Sequence, residues 1–222
     1  MTDPKSYILI GPPGSGKSTL AHSLEKRLGV VHIDIGSELR RAAQEDTPFA
    51  TEINDTINHK KELVSDMVVY GVLADALMRI PAGKGVVLDG APRPASQIDE
   101  VLHILGVSGR KPERVIFINL PEAMSIERIS RRFKCIQCEE PLILGTGIQH
   151  PTDSCPKCGG KVAQREDDTV EGVRKRYRIF QGVTLPVVEY FREHGFLLEV
   201  DGTLPSETII EKVFQSLNQP KS

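Results

Sequence analysis

Residues 7–20, YILIGPPGSGKSTL, place a short apolar run before a glycine-rich loop that opens straight into a helical pattern. That succession leaves few folds open, because the loop must leave the end of a buried strand and start a helix. Gly11, Gly14 and Gly16 let the backbone curl tightly enough to aim several N–H groups inward. Lys17 and Ser18 begin a helix whose N-terminal dipole favours anions. A polyphosphate fits such a loop, with Lys17 reaching the outer phosphates of a nucleotide and the Ser18 hydroxyl facing a magnesium ion. The spacing of the loop residues recurs by chance elsewhere, but here the required strand precedes it and the required helix follows it.

The rest of the chain repeats the strand and helix alternation. Buried strands are expected at 30–33, 85–89, 114–120 and 196–200. Helices are expected at 18–28, 37–44, 62–80, 94–105, 121–132, 169–194 and 206–217, with one or two small ones within 47–61. Leu20, Leu24 and Leu28 are assigned to the core, and Gly29 stops their helix. The run ending at Asp89 reads as a parallel strand buried on both faces, closed by an acid on the ligand side. These alternations imply an α/β fold, a doubly wound parallel sheet of the P-loop NTPase type with its site at the strand C-termini. Residues 133–164 break the pattern and read as an irregular, cysteine-bearing insert.

All four cysteines lie in that insert, as Cys135-x-x-Cys138 and Cys155-x-x-Cys158. Two such knuckles make a tetrahedral four-sulfur cage, the spacing of a zinc site, with iron–sulfur or an unmetallated loop as alternatives. Four thiolates leave no open position, so the metal is expected to be structural, worth about 10 kcal/mol or more in ordering so small an insert. Disulfides are disfavoured in the reducing cytosol expected for this chain.

Net charge is −2, with 28 Lys and Arg against 30 Asp and Glu, so long-range attraction to nucleic acid or an anionic membrane is not favoured. Aromatic content is 5% and there is no Trp, which leaves few platforms for stacking bases. No apolar run approaches membrane-spanning length, and the opening MTDPKS lacks the pattern of a secretory signal. The expectation is a cytoplasmic monomer acting on a small substrate, or a matrix protein after loss of a leader.

Several stretches occur together in a specific order: GPPGSGKST at 11–19, IGSELRR at 35–41, DGAPRPASQ at 89–97, the cysteine quartet, and QREDD at 164–168 with Arg176 downstream. In this order and spacing, which span nearly the whole chain, the sequence resembles adenylate kinase of the long form with a zinc-bearing lid. The resemblance implies a core of residues 1–34, 67–127 and 166–222, a small segment binding the acceptor nucleoside monophosphate (NMP) at 35–66, and a lid at 128–165. It implies reversible magnesium-dependent transfer from ATP to AMP, giving two ADP. Gly14, Ser15, Gly16, Lys17, Ser18 and Thr19 would hold the donor phosphates, and Arg128 would lie against the donor base. Arg40 and Arg93 would bind the acceptor phosphate, Gln97 would hydrogen-bond its adenine, and Ile35, Gly36, Leu63, Val64 and Gly90 would surround it. Lys17, Arg93, Arg132, Arg165 and Arg176 would be catalytic, surrounding the phosphoryl group in flight. Asp89 would hold magnesium through water, Asp167 and Asp168 would pair with lid arginines on closure, and Pro92 would be a cis-proline directing Arg93.

Arginine suits these roles, since phosphoryl transfer asks for alignment and permanent positive charge rather than covalent chemistry. Arg131, Arg174, Lys175 and Arg178 read instead as solvated helix faces. None of the six histidines, His22, His32, His59, His103, His150 and His194, stands at ligand spacing from another.

Three positions depart from the common adenylate kinase pattern. Ile35 stands where a Thr is usual, Ala91 replaces a Phe, and Leu142-Ile143 replaces Tyr-His in the lid. They leave open a kinase for another acceptor base. A P-loop binding protein with a nucleic-acid-binding zinc ribbon is the remaining alternative, disfavoured by Glu139, Glu140 and Asp153 in the insert.

Overall fold

The computed structural model describes residues 4–45, 50–56, 63–165 and 167–218. Five parallel strands form the central sheet: β1 (Lys5–Ile10), β2 (Val31–Asp34), β3 (Val86–Asp89), β4 (Lys111–Asn119) and β8 (Leu197–Asp201), in the order β2-β3-β1-β4-β8. Because β1 is the middle strand, the glycine-rich loop leaves from the centre of the sheet's C-terminal edge.

Alternation along the strands feeds two separate cores. Ile8, Ile10, Ile33, Leu88 and Phe117 face one layer, while Tyr7, Leu9, Val87, Ile116 and Val200 face the other. The first layer is made by α2 (Ile35–Ala42), α3 (Ala50–Asn54), α4 (Asp66–Met78), α5 (Ile98–Val107) and α8 (Leu185–Glu193); the second is made by α1 (Lys17–Leu28) and α9 (Ser206–Leu217). Burial on both faces is why these strands read as continuous apolar runs. Among the described residues no helix is long and apolar enough to cross a membrane.

Several expectations shift. Leu20 and Leu24 are buried, but Leu28 is 40% exposed, because eight residues along a helix rotate a side chain by about 80°. Gly29 caps that helix at φ 68° as expected. The helix expected at 62–80 starts at Asp66, and its buried stripe is Val68, Val69, Val72, Leu73, Ala76 and Leu77, with Met67 exposed. Of the small helices expected within 47–61, α3 is present; residues 46–49 and 57–62, including His59, lie outside the described residues. The helix expected at 121–132 is α6 (Glu122–Ser130), so Arg132 opens a strand instead.

The single helix expected at 169–194 is two: α7 (Val170–Ile179) and α8, joined by a π-helical turn at Phe180–Thr184. Pro186, in the first turn of α8, has no N–H to donate back to the preceding turn, so the regular ladder cannot run through. The insert is more regular than expected. It holds an antiparallel sheet of β5 (Arg132–Cys135), β6 (Pro141–Ile143) and β7 (Val162–Ala163), in the order β6-β5-β7. Phe133, Leu142, Ile148 and Val162 pack with Cys135 and Cys155 into a small core of its own. Such short strands carry too few residues for an alternation signal.

Candidate phosphoryl-transfer site

The loop after β1 is held open by its backbone. Gly14 and Gly16 adopt φ 73° and 96°, a region closed to most side chains, and space opens beside Gly16 where a Cβ would meet nothing within 4 Å. The Lys17 ammonium closes the loop by donating to the carbonyls of Gly11 and Pro12 at 2.9 and 3.3 Å. The Ser15 hydroxyl is buried with no partner among the described residues, a polar atom left for a ligand or water. Ser18 and Thr19 are exposed on the first turn of α1. A Cβ on Gly14 would lie 3.5 Å from Cβ of Arg128, so α6 brings that arginine against the loop.

Charges converge around Lys17. Desolvation holds its ammonium below the ordinary value, Asp89 and Asp34 pull it up, and Arg93 and Arg132 push it down. Burial raises the carboxyl of Asp89, partly offset by Lys17. For Asp34 burial also acts upward, but the Ser37 hydroxyl and the Arg40 charge outweigh it and the carboxyl falls below its usual range. Asp34 and Asp89 are register partners at the ends of β2 and β3, which sets two carboxylates side by side at the sheet edge.

At the end of β2, Asp34 caps α2 by accepting from the N–H groups of Gly36 and Ser37 at 2.9 and 3.3 Å. Arg40 reaches back to within 4.0 Å of Asp34 and donates to the Ser37 hydroxyl. The Ala91-Pro92 peptide is cis, and Arg93 follows it with its Nε donating to the Gly90 carbonyl at 3.2 Å. Gly90, at φ 98°, presses close to Ile35. Gln97 is buried; its Oε1 accepts the Arg93 N–H at 2.9 Å and its Nε2 donates to Asp66 at 2.7 Å. Val64 is buried in the core cluster shared with α4, and Leu63 is 36% exposed. Ile35 and Ala91 are both buried in the same core cluster.

Across the cleft, Asp168 ties the insert to α7. Its carboxylate is 1% exposed and accepts from Arg132 at 2.6 Å and from Arg176 at 3.0 Å. Asp167 pairs with Arg176 at 3.0 Å. Among the described residues, the ion pairs of Asp168 reach Arg132 of the insert and Arg176, while that of Asp167 is with Arg176 on α7. Arg165 lies in the fields of Arg132, Arg40, Asp168 and Asp167, and Arg40 also acts on Glu139 of the first knuckle. The charges of Arg40 on α2 and of Glu139 and Arg165 thus act on one another. Of the arginines expected to be solvated, Arg131 donates to the Leu144 carbonyl within the insert, and Arg174 lies 3.9 Å from Glu122.

The four cysteines are free thiols whose donor atoms lie within 4.8 Å of one another. Sulfur separations of 3.4 Å for Cys135 and Cys158 and 3.7 Å for Cys138 and Cys155 match the roughly 3.8 Å edge of a tetrahedron with 2.3 Å metal–sulfur bonds. The N–H groups of Cys138 and Gln137 point at Cys135 and hold its thiol down to about 6, and the N–H of Gly160 points at Cys158. The quartet fits zinc. Leu142 is buried under it, while Ile143 is exposed at the insert's surface.

The family model described as "Adenylate kinase" matches residues 9–196, well over half of the chain. The chain belongs to the adenylate kinase family. An adenylate kinase of Kosmotoga olearia is 38% identical over 213 residues, covering 96% of this chain and 98% of that one. One of Archaeoglobus fulgidus is 34% identical over 217 residues, 98% of this chain and all of that one, and one of Syntrophotalea carbinolica is 33% identical over 210 residues, 95% and 97%. Phosphoryl transfer between ATP and AMP is the reaction of adenylate kinases, and membership makes this chain a nucleoside monophosphate kinase.

Two residues of the site escape the motif reading. Asp34 carries the same signal as Asp89, an acid closing a buried strand, and could have been found by it. Asp66 has no such signal, because it meets Gln97 across 31 positions of sequence.

Proposed function

We propose that this chain transfers the terminal phosphoryl group of ATP to AMP, reversibly, giving two ADP. What carries the reading is the convergence of Lys17, Arg40, Arg93, Arg132, Arg165 and Arg176 on one cleft at the sheet's C-terminal edge. Gly14, Ser15, Gly16, Lys17, Ser18 and Thr19 hold the donor phosphates, with Arg128 against the donor base. Arg40 and Arg93 grip the acceptor phosphate. One of its oxygens attacks the terminal phosphorus in line, the bond to the bridging oxygen breaks, and that oxygen leaves with ADP. The nucleophile is already an anion, so no general base is needed. Arg132, Arg165 and Arg176, with Lys17, spread over the oxygens of the group in transit, where one well-placed arginine is worth about 10³ to 10⁵ in rate.

Asp89, Asp34 and Ser18 offer the hard oxygen donors that suit magnesium, Asp89 through water. When bound, magnesium neutralises charge on the donor phosphates and fixes their orientation. Zinc in the cysteine quartet orders the insert and does no chemistry. Residues 35–66 and 128–165 are the moving parts over a core of 1–34, 67–127 and 166–222. Closure keeps water from taking the phosphoryl group. The protein works as a cytoplasmic monomer.

Gln97 supports adenine as the acceptor base. Its amide keeps one N–H and one lone pair beyond those used by Asp66 and Arg93, the pair that reads adenine's neighbouring acceptor and donor. Buried Ile35 and Ala91 favour a second reading in which the reshaped acceptor wall admits another base.

A coupled assay of ADP formation with MgATP and AMP, GMP, CMP or UMP in turn separates the two. Rapid transfer to AMP alone is expected, and a preference for another monophosphate assigns Ile35 and Ala91 to specificity. Arg93→Ala and Lys17→Ala should each lower kcat/KM by at least 10² while the protein stays folded; full activity in either refutes the site.

A further inference from the structure

The fold brings together three metal-ligating side chains that neither the cleft nor the cysteine quartet uses. His22 and Glu25 sit one turn apart on α1, and His32 faces them from β2. One donor atom from each lies within 4.8 Å of the other two, and the imidazole rings meet edge to face at 5.6 Å between centroids.

The hydrogen bonds leave a free donor on every one of the three. Nδ1 of His22 stands 2.7 Å from the Ser18 carbonyl, which can only accept, so Nδ1 carries the proton and Nε2 keeps its lone pair. That is the arrangement by which a ligating imidazole is oriented and made more basic. Oε1 of Glu25 accepts the main-chain N–H of His32 at 2.8 Å, which fixes the carboxylate and leaves Oε2 for a metal. Nε2 of His32 is buried with no partner among the described residues. A buried ring nitrogen without a partner asks for one. Asp34 and Asp89 lie in the field of His32, and their charge favours a cation at this place.

We propose that His22, Glu25 and His32 form a second metal site, separate from the cysteine quartet, for a divalent late-transition ion of the zinc class. Two imidazoles and one carboxylate suit that class, with a fourth position left to water. An all-oxygen shell, which magnesium and calcium require, is absent from the trio. Tetrahedral donors at zinc–nitrogen bonds of about 2.0–2.1 Å stand about 3.4 Å apart, within reach of a small rotation of exposed His22. The site clamps α1, the helix that begins at Lys17, to β2, the strand that ends at Asp34. Binding there stabilises the core and leaves the insert alone.

The test starts from protein whose quartet already holds one equivalent of zinc, titrated with further Zn²⁺ against a chromophoric chelator. Two equivalents in all are expected for the unaltered chain, with the thermal midpoint rising as free zinc rises and the Nε2 resonances of both histidines shifting. His22→Ala, at an exposed position, should weaken the second equivalent at least tenfold, and His32→Gln should do the same. If His32→Gln fails to fold, Glu25→Gln replaces it with nearly unchanged shape and the same expectation. A total of one equivalent in the unaltered chain overturns the proposal. So does a second equivalent that survives His22→Ala at full affinity or leaves the histidine resonances where they were.

Discussion

Gln97 illustrates how one side chain is set by a neighbour that the motif does not contain. Its amide could present either end to a base, but the Asp66 carboxylate accepts only, so Nε2 must face Asp66 and Oε1 the Arg93 N–H. Asp66 also accepts from the Ser96 hydroxyl at 3.0 Å, which ties the first turn of α4 to the turn that carries Gln97. Removing this carboxylate leaves Oε1 on the Arg93 N–H but takes away the partner that holds Nε2, so the base-reading edge is held less firmly. Asp66→Ala should therefore raise KM for the acceptor monophosphate about tenfold, the worth of one hydrogen bond to a charged group, with kcat little changed. A loss confined to kcat, or to thermal stability, would show that Asp66 holds α4 rather than the base-reading amide. Lys17 stands in a glycine-rich run whose chemistry is local, and Arg93 and Gln97 stand in a short run that carries the family resemblance, so the sequence can point to all three. Asp66 and the His22–Glu25–His32 trio are not legible there, because each acts across a junction that only the folded chain creates.

Local pattern predicts an element well when the element is long and buried on a regular face. The five core strands and α1, α5, α6 and α9 come within a few residues of expectation, the strands because they are continuous apolar runs and the helices because their apolar periods extend for two turns or more. The pattern fails where two elements compete for the same residues. Nothing in the apolar period of residues 169–194 announces the π-helical turn at Phe180–Thr184, and strands as short as β7 carry no period at all. Ends of elements are a further blind spot, and Arg110 shows why. It is 3% exposed, and its guanidinium donates to the carbonyls of Ile80, Pro81, Lys84 and Ser108, which satisfies chain ends after both α4 and α5. Desolvation lowers its pKa without removing its charge. Arg110→Met keeps the packing of the stem but strands those carbonyls, so the expected cost is about 2–3 kcal/mol. For a domain of this size that is a fall of roughly 5–10 °C in Tm. Phosphoryl transfer below the new midpoint should be unaltered, since Arg110 sits at the opposite ends of these elements from the cleft. An unchanged Tm would mean that water replaces the guanidinium without loss.

At the scale of the whole molecule, two devices of different strength hold the insert. Its internal order rests on six apolar or sulfur-bearing side chains of a small core and on the cysteine quartet, too little burial to fold alone. Its attachment to the core includes Asp168, buried between Arg132 and Arg176, and Gln164, whose Nε2 donates to the Ser130 carbonyl at the end of α6. Stripping a metal from the quartet should therefore melt the insert without melting the sheet beneath. In hydrogen exchange, amides of β5, β6 and β7 should lose protection on treatment with a strong chelator, while those of β1, β3 and β4 keep theirs. The catalytic consequence follows from the same geometry. Arg132 opens β5 and Arg165 follows β7 at the two ends of the insert, so chelated protein loses both from the cleft together with the cover that excludes water. Transfer to the acceptor should fall by at least 10², and the ratio of ATP hydrolysis to transfer should rise, as measured by comparing inorganic phosphate with ADP. Asp168→Asn should give a milder version of this behaviour. The insert stays folded around its metal but is released from α7, so transfer falls while the amides of β5 to β7 stay protected. Equal loss of protection in the sheet and the insert on chelation would mean that the two fold as one cooperative unit, and the insert could not then move as a separate lid.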